Sequence, residues 1–187
     1  MNKLKPKDAE KKLSKLDWLK YGLEALKNYG VRGLNVEPLA EFIGVTKGSF
    51  YWHFKDRKDF YKCLVQYWEE ELTTILIDRV KALPVKADER LKALMLIVLK
   101  EEAGRYESDI RAWAAIDEIP EKAVARVDKY RLLYVESLFL EMGYSQKEAK
   151  IRGRIFYLYI VGEFMVFAEN KDRTKYLSEK FKFFTAR

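Results

Sequence analysis

Residues 44–60 read "GVTKGSFYWHFKDRKDF". Four aromatic rings and the chain's single histidine, His53, fill the five positions from Phe50 to Phe54, behind a small Thr-Lys-Gly-Ser segment and ahead of five charges. A helix that buries one face carries its rings along one stripe. Here they run all round, so some of them are expected to face something other than the chain's own core.

The residues just upstream say what that is. In "GVRGLNVEPLAEFIGVTKGSFYWHF", Asn35 is an expected N-cap for a helix opening at Val36, and Pro38 sits in its first turn, where a missing N–H costs little. The helix should break at Gly44, which can take the left-handed conformation of a tight turn. Thr46 then caps a second short helix, "KGSFYWHF". Two short helices crossing through such a turn form a helix-turn-helix. Ala40 supplies the small side chain needed where they touch, with Leu39, Ile43, Val45 and Phe50 as the apolar wedge. Counted from Val36, the small residue is fifth, the glycine ninth and the inner apolar residue fifteenth. Phe50 and Phe54, four apart, should face inward. Thr46, Lys47, Ser49, Tyr51, Trp52 and His53 are left to meet phosphates or base edges in a DNA major groove, and Gly48 keeps the approaching end slim. The amides opening the next helix, with Arg57 and Lys58 beside them, are an expected phosphate seat.

Charge agrees. Residues 1–60 carry 13 Lys and Arg against 8 Asp and Glu, whereas residues 61–187 carry 23 against 21. A basic end on a near-neutral body suits a polyanion partner, although lysine-rich surfaces also simply solubilise. Lys3, Lys5, Lys7, Lys11 and Lys12 read either as a loose arm along the DNA backbone or as a solvated face.

At 187 residues and 49% hydrophobic, the chain can bury a core without disulfides. Its lone Cys63 reads as an inert buried thiol of a reducing compartment. No apolar run has the length of a membrane span and "MNKLKPKDAEKK" has no leader-like apolar run, so a soluble cytoplasmic protein is expected. Apolar residues recur at threes and fours throughout. Leu16, Leu19, Leu23 and Leu26 form one ladder, stopped by Gly30. "DRKDFYKCLVQYWEEELTTILIDRVKAL" reads as one long helix and "DERLKALMLIVLKEEAGRY" as another, N-capped by Asp88. "SDIRAWAAIDEI" ends before Pro120, and "EKAVARVDKYRLLYVESLFLEMGY" stops at Gly143. Ser145 and Glu148 have the spacing of a capping box at the head of "SQKEAKIRGRIFYLYIVGEFMVFAEN", and "RTKYLSEKFKFF" closes the chain. The expectation is an all-α protein of about nine helices, with residues 1–60 as the DNA-binding domain and residues 61–187 as a helical body.

The stretch "GLEALKNYG" followed by "LNVEPLAEFIGVTKGSFYWHFKDRKDF" resembles the TetR family of transcriptional regulators, specifically over residues 16 to about 68. That resemblance implies a nine-helix homodimer in which three N-terminal helices bind a palindromic operator and a fourth leads to a body that takes a small-molecule effector. It also implies that two C-terminal helices of each subunit form a four-helix interface. On the same basis Thr46, Lys47, Gly48, Ser49, Tyr51, Trp52 and His53 become recognition contacts, with Arg57 on the backbone. The family commonly has tyrosine at the position of Trp52 and threonine or serine at or near Asn35, so Asn35 joins the DNA-facing set. The segments "RAWAAIDEIPEKAVARVDKYRLLYVESLF" and "EAKIRGRIFYLYIVGEF" are similar to one common C-terminal type in that family.

In the body, Trp68, Tyr106, Trp113, Tyr130, Tyr134 and Phe139 are candidates for an apolar effector pocket, with plain core as the alternative. Glu102, Asp117 and Glu136 are candidate polar orienters. "IFYLYIVGEFMVFA" is apolar nearly all round and needs covering on several sides, so Ile155, Tyr159, Gly162, Phe164, Val166 and Phe167 are the expected dimer contacts. With one histidine, one cysteine and no metal-ligand spacing, neither a metal nor a cofactor nor catalytic residues are expected. Three readings follow. A ligand-responsive repressor comes first. A helical carrier or enzyme with a merely structural helix-turn-helix, and a non-specific chromosome-coating protein, are its rivals.

Overall fold

The computed structural model describes residues 13–186. The five lysines of the expected N-terminal arm lie outside them. Ten α-helical segments follow one another, and no strand occurs among the described residues. Two of the ten are joined by a π turn without a break, so the described residues form nine helical rods. The chain divides into two compact units between Tyr67 and Trp68, inside a helix.

The first unit holds α1 (Lys15–Tyr29), a 3-10 turn (Gly30–Leu34), α2 (Val36–Ile43), α3 (Lys47–Tyr51) and the greater part of α4 (Arg57–Glu69). A capping box opens α1: the Asp17 amide donates to Ser14 Oγ at 3.2 Å, and the Ser14 amide donates to Asp17 Oδ2 at 2.9 Å. Gly30, at φ 62°, ends it. The core is aromatic. Trp18, Phe50, Phe54 and Phe60 are all but fully buried. Phe50 lies with its ring centroid 5.5 Å from Trp18, 5.0 Å from Phe54 and 5.5 Å from Phe60. Edge-to-face and tilted pairs at this spacing add about 0.5–1.5 kcal/mol each beyond the area they bury.

The second unit begins at the end of α4. It continues through a π turn (Glu70–Thr74), α5 (Ile75–Lys81), α6 (Ala87–Lys100), α7 (Glu107–Ala114), α8 (Glu118–Glu141), α9 (Gln146–Met165) and α10 (Leu177–Thr185). Its core runs from Leu76, Ile77 and Val80 through Leu91, Leu94 and Met95 to Leu138, Phe139 and Phe156.

Several boundaries differ from expectation. Lys86, not Asp88, stands at the N-cap of α6. The helix expected to stop before Pro120 ends at Ala114. Asp117 then caps α8, its carboxylate accepting from the Ile119 amide at 2.9 Å. Pro120 therefore sits in the first turn of α8, where it has no N–H to lose. The capping box expected at Ser145 and Glu148 is present, but α9 ends at Met165 instead of Asn170. Cys63 is half-buried rather than enclosed.

Phe50→Ala should cost about 3–5 kcal/mol of stability in the first unit, the range for emptying a fully buried phenylalanine. Urea unfolding followed by aromatic fluorescence and circular dichroism measures it.

Candidate nucleic-acid interface and cavity

In the first unit, Gly44 takes φ 84° and ψ 31°, the left-handed geometry the turn needs. The Gly44 and Val45 amides both donate to the Ala40 carbonyl at 2.9 Å, and Ala40 itself is buried. α3 is thereby turned against α2. Its inner side is fixed by Phe50, at 0% exposure, while Tyr51 and Trp52 stand 58% and 83% exposed. Thr46, Lys47 and Gly48 are exposed too, and Ser49 and His53 are half-buried. A Cβ on Gly48 would meet nothing nearer than Thr46 Oγ1 at 3.7 Å. The fold itself does not require glycine there.

The first turn of α2 holds two of the expected DNA-facing cations. Asn35 stands at the N-cap by backbone conformation, but its side chain does not cap; Oδ1 instead accepts from Arg57 Nη1 at 2.7 Å. Glu37 Oε1 accepts from Lys47 Nζ at 2.8 Å, with both side chains largely exposed. That hydrogen bond and the opposite charge hold the Glu37 carboxyl below its ordinary range and the Lys47 ammonium above its own. The phosphate seat expected at the start of α4 is partly filled. Asp56 Oδ1 accepts from the Asp59 amide at 2.8 Å, and Asp59 Oδ2 accepts from the Lys55 amide at 3.0 Å. α4 is capped by its own carboxylates, a pairing that the spacing of Asp56 and Asp59 could have signalled.

In the second unit, Leu72, Leu76, Val98, Gly104, Val135, Ile160 and Phe164 enclose an apolar cavity of about 50 Å³. Of the six aromatic side chains expected to line a pocket, only Tyr134 borders it. Trp68, Tyr106, Trp113 and Phe139 are buried core side chains, and Tyr130 is exposed. The polar edge of the cavity is also different from the expected one. Glu102 lies outside on the surface and Asp117 serves as a cap. Glu136 packs where a Cβ on Gly153 would stand.

The polar edge is Glu107, 2% exposed, together with Arg131, Thr73 and Tyr157. Glu107 accepts from Arg111 Nε and Nη2 at 2.9 and 2.6 Å and from Arg131 Nη1 at 3.0 Å. Arg131 also donates to Thr73 Oγ1 at 2.9 Å and to the Leu72 carbonyl at 3.3 Å, both in the π turn. Arg111 forks onto Asp128 at 3.0 and 2.6 Å, and Tyr157 donates to Asp128 Oδ1 at 2.6 Å. Burial pushes the Tyr157 phenol well above its usual range. Burial also opposes the charge on Asp128, but the hydrogen bonds from Arg111 and Tyr157 prevail and hold its carboxyl below the ordinary range. Two arginines and two carboxylates cancel, so the wall is ionic yet neutral. Sequence reading missed it because its members are scattered over three helices and a turn, at spacings no local pattern marks.

The family model of bacterial regulatory proteins, tetR family, matches residues 19–62, the helix-turn-helix and its flanks. The N-terminal unit is a tetR-family domain. Solved structures share the fold over most of the chain. A TetR-family transcriptional regulator from Rhodococcus sp. is similar at 20% identity with a TM-score of 0.69, over 92% of this chain and 98% of that one. FadR from Bacillus subtilis, solved in complex with stearoyl-CoA, is similar at 13% identity with a TM-score of 0.72, again over 92% and 98%. The fatty acid degradation regulator FadR from Bacillus halodurans is similar at 15% identity with a TM-score of 0.69, over 95% and 97%. No curated protein matches the sequence. No helix among the described residues is long and apolar enough to cross a membrane.

In the second unit, α8 and α9 pack along each other and leave an outward apolar stripe. Ile151, Ile155, Leu158 and Met165 are exposed on α9, as are Leu133 and Leu140 on α8. With Gly162, whose Cβ position faces open space, the α9 residues repeat at four and three, the spacing of a helix–helix seam. Of the expected dimer contacts, Ile155 and Gly162 fall on this line, and Val166 and Phe167 are exposed just beyond it. Two do not. Phe164 is buried in its own subunit, where a Cβ on Gly104 would come within 2.4 Å of its ring. Tyr159 is half-buried, with its ring 5.3 Å from that of Phe184. "Apolar all round" could not divide the inner faces of the helix from its outer one.

Glu107→Ala should destabilise the second unit by about 3–5 kcal/mol, because it leaves the Arg131 guanidinium enclosed without its carboxylate. Thermal and urea unfolding of the variant give the value.

Proposed function

We propose that this protein is a sequence-specific transcriptional repressor that binds a palindromic operator as a homodimer and is released by a small apolar ligand. The observation that carries this reading is the division of α3. Phe50 is locked in the core while Tyr51 and Trp52 project outward beside exposed Thr46 and Lys47. Large rings are costly to leave in water without a purpose, and a short rod with polar tips and a glycine at its leading end suits a major groove. Open space at Gly48 supports the same conclusion: since the fold tolerates a side chain there, the demand for none comes from a close external surface.

Dimerisation is supported by the exposed stripe on α8 and α9, which a second copy would cover with the same residues, as a two-fold interface requires. The effector reading rests on the cavity. At about 50 Å³ it has room for several waters but not for a long chain, so an effector must part its walls. It would have to prefer the parted state to shift occupancy of the operator, by a coupling of about 1–3 kcal/mol. An uncharged, lipophilic chain suits apolar walls whose ionic groups are already satisfied. Since one protein of similar fold was solved with stearoyl-CoA, long-chain acyl groups are the first ligands to try here. A cytoplasmic location follows from the DNA partner.

Lys47→Ala and Tyr51→Ala should each weaken operator binding by about 1–3 kcal/mol, with the dimer unchanged in sedimentation velocity. Arg57→Ala should weaken binding evenly across sequences and flatten its salt dependence. Equal affinity of the wild-type protein for every duplex, its own upstream region included, would defeat the repressor reading. Stearoyl-CoA or a free long-chain fatty acid should raise the melting temperature and lower operator affinity; no change with either would remove the lipophilic effector.

A further inference from the structure

The two cations tied to the first turn of α2 are held in different ways. Arg57 is held by a neutral amide: Asn35 Oδ1 accepts its Nη1 proton and leaves the guanidinium charge uncompensated. Lys47 is held by a carboxylate, Glu37, at 2.8 Å. Both members of that pair are well exposed, at 63% and 75% of their side chains. Exposed pairs of this kind contribute little to folding, so its consequence is sought outside the fold. Wherever Lys47 meets DNA, the Glu37 carboxylate arrives with it. A carboxylate among phosphates is repulsive, and a compensated ammonium releases fewer counterions. In the major groove the same carboxylate can accept from an exocyclic base amine, cytosine N4 being the usual partner of Glu or Asp and adenine N6 the other donor.

We infer that Glu37 is a specificity-determining residue of the DNA interface: it suppresses binding to unrelated DNA by compensating Lys47, and is satisfied where the operator presents a base amine, cytosine N4 first, beside it. This rests on the repressor reading above and adds a residue that the helix-turn-helix pattern does not mark. Away from the operator, each subunit then engages DNA with one fewer effective cation. At the operator, Lys47 turns to a base edge or phosphate and Glu37 accepts from the amine, so the pair opens at no loss of hydrogen bonds.

The test uses the full-length dimer with two variants. Glu37→Gln keeps an oxygen that can accept from Lys47 and removes the charge; Asn35→Asp places a carboxylate on Arg57, which lacks one. Binding to the upstream palindromic duplex and to a scrambled duplex of equal length is measured by fluorescence anisotropy between about 50 and 200 mM salt. Glu37→Gln should bind the scrambled duplex roughly 3–10-fold more tightly, with a log K against log salt slope steeper by about 0.9 per subunit. Its ratio of operator to scrambled affinity should fall. Asn35→Asp should do the reverse on the scrambled duplex. Melting curves check that both variants are folded, and Glu37→Ala serves in place of Glu37→Gln if that variant is not. Wild-type discrimination with an unchanged slope and scrambled affinity in the Glu37 variant overturns the role of Glu37 and leaves the repressor reading standing. Failure of the wild-type protein to prefer any duplex overturns both.

Discussion

The N-terminal unit depends on one aromatic contact set, the rings of Trp18, Phe50, Phe54 and Phe60. α3 has only five residues, far too few to be helical alone in water. It exists because Phe50 anchors it to α1 and α4. The same anchoring fixes which side is outward, since rotation about the rod is prevented by rings already in edge-to-face contact. Orientation of Tyr51 and Trp52 is thus set by packing. The left-handed turn at Gly44 adds the angle, and Ala40 allows the approach.

The second unit solves a different problem. Its cavity wall contains two arginines and two carboxylates in a largely apolar setting, where isolated charges would be prohibitive. They are tolerated because each guanidinium has at least one carboxylate: Glu107 accepts from both arginines, and Asp128 accepts from Arg111 and Tyr157. Such networks add little net stability over a well-packed apolar alternative. What they add is definition: Arg131 joins α8 to α7 through Glu107 and to the π turn through Thr73 and Leu72. The apolar remainder of the cavity, by contrast, has no directional bonds of this kind across it.

Legibility followed the range of the interaction. The helix-turn-helix was readable because its determinants are local: a capped start, a small residue at the contact, a glycine at the turn and rings four apart. The capping box at Ser145 and Glu148 was readable for the same reason. Asn35 was misread in part, since its favourable cap position concealed a side chain turned toward Arg57, twenty-two residues on. The break at Ala115 was hidden because Asp117 and Pro120 fit a helix end and a helix start equally well. In the body, aromatic content suggested a pocket, yet most of those rings fill the core. The cavity is bordered instead by aliphatic residues and by Glu107 and Arg131, whose meeting is a product of tertiary packing. Phe164 and Ile155 share a helix and a composition, and only the neighbours of each decide which is covered.

The π turn at Glu70–Thr74 carries one more consequence. A wider turn inserts a residue into a rod that would otherwise advance by about 100° per position, so it acts as a phase correction between two lengths of helix. Within the second unit Trp68 is buried before it, and Leu76, Ile77 and Val80 are buried after it. Deleting a single residue here would leave a regular helix, longer in hydrogen-bond continuity, whose second half presents the wrong azimuth.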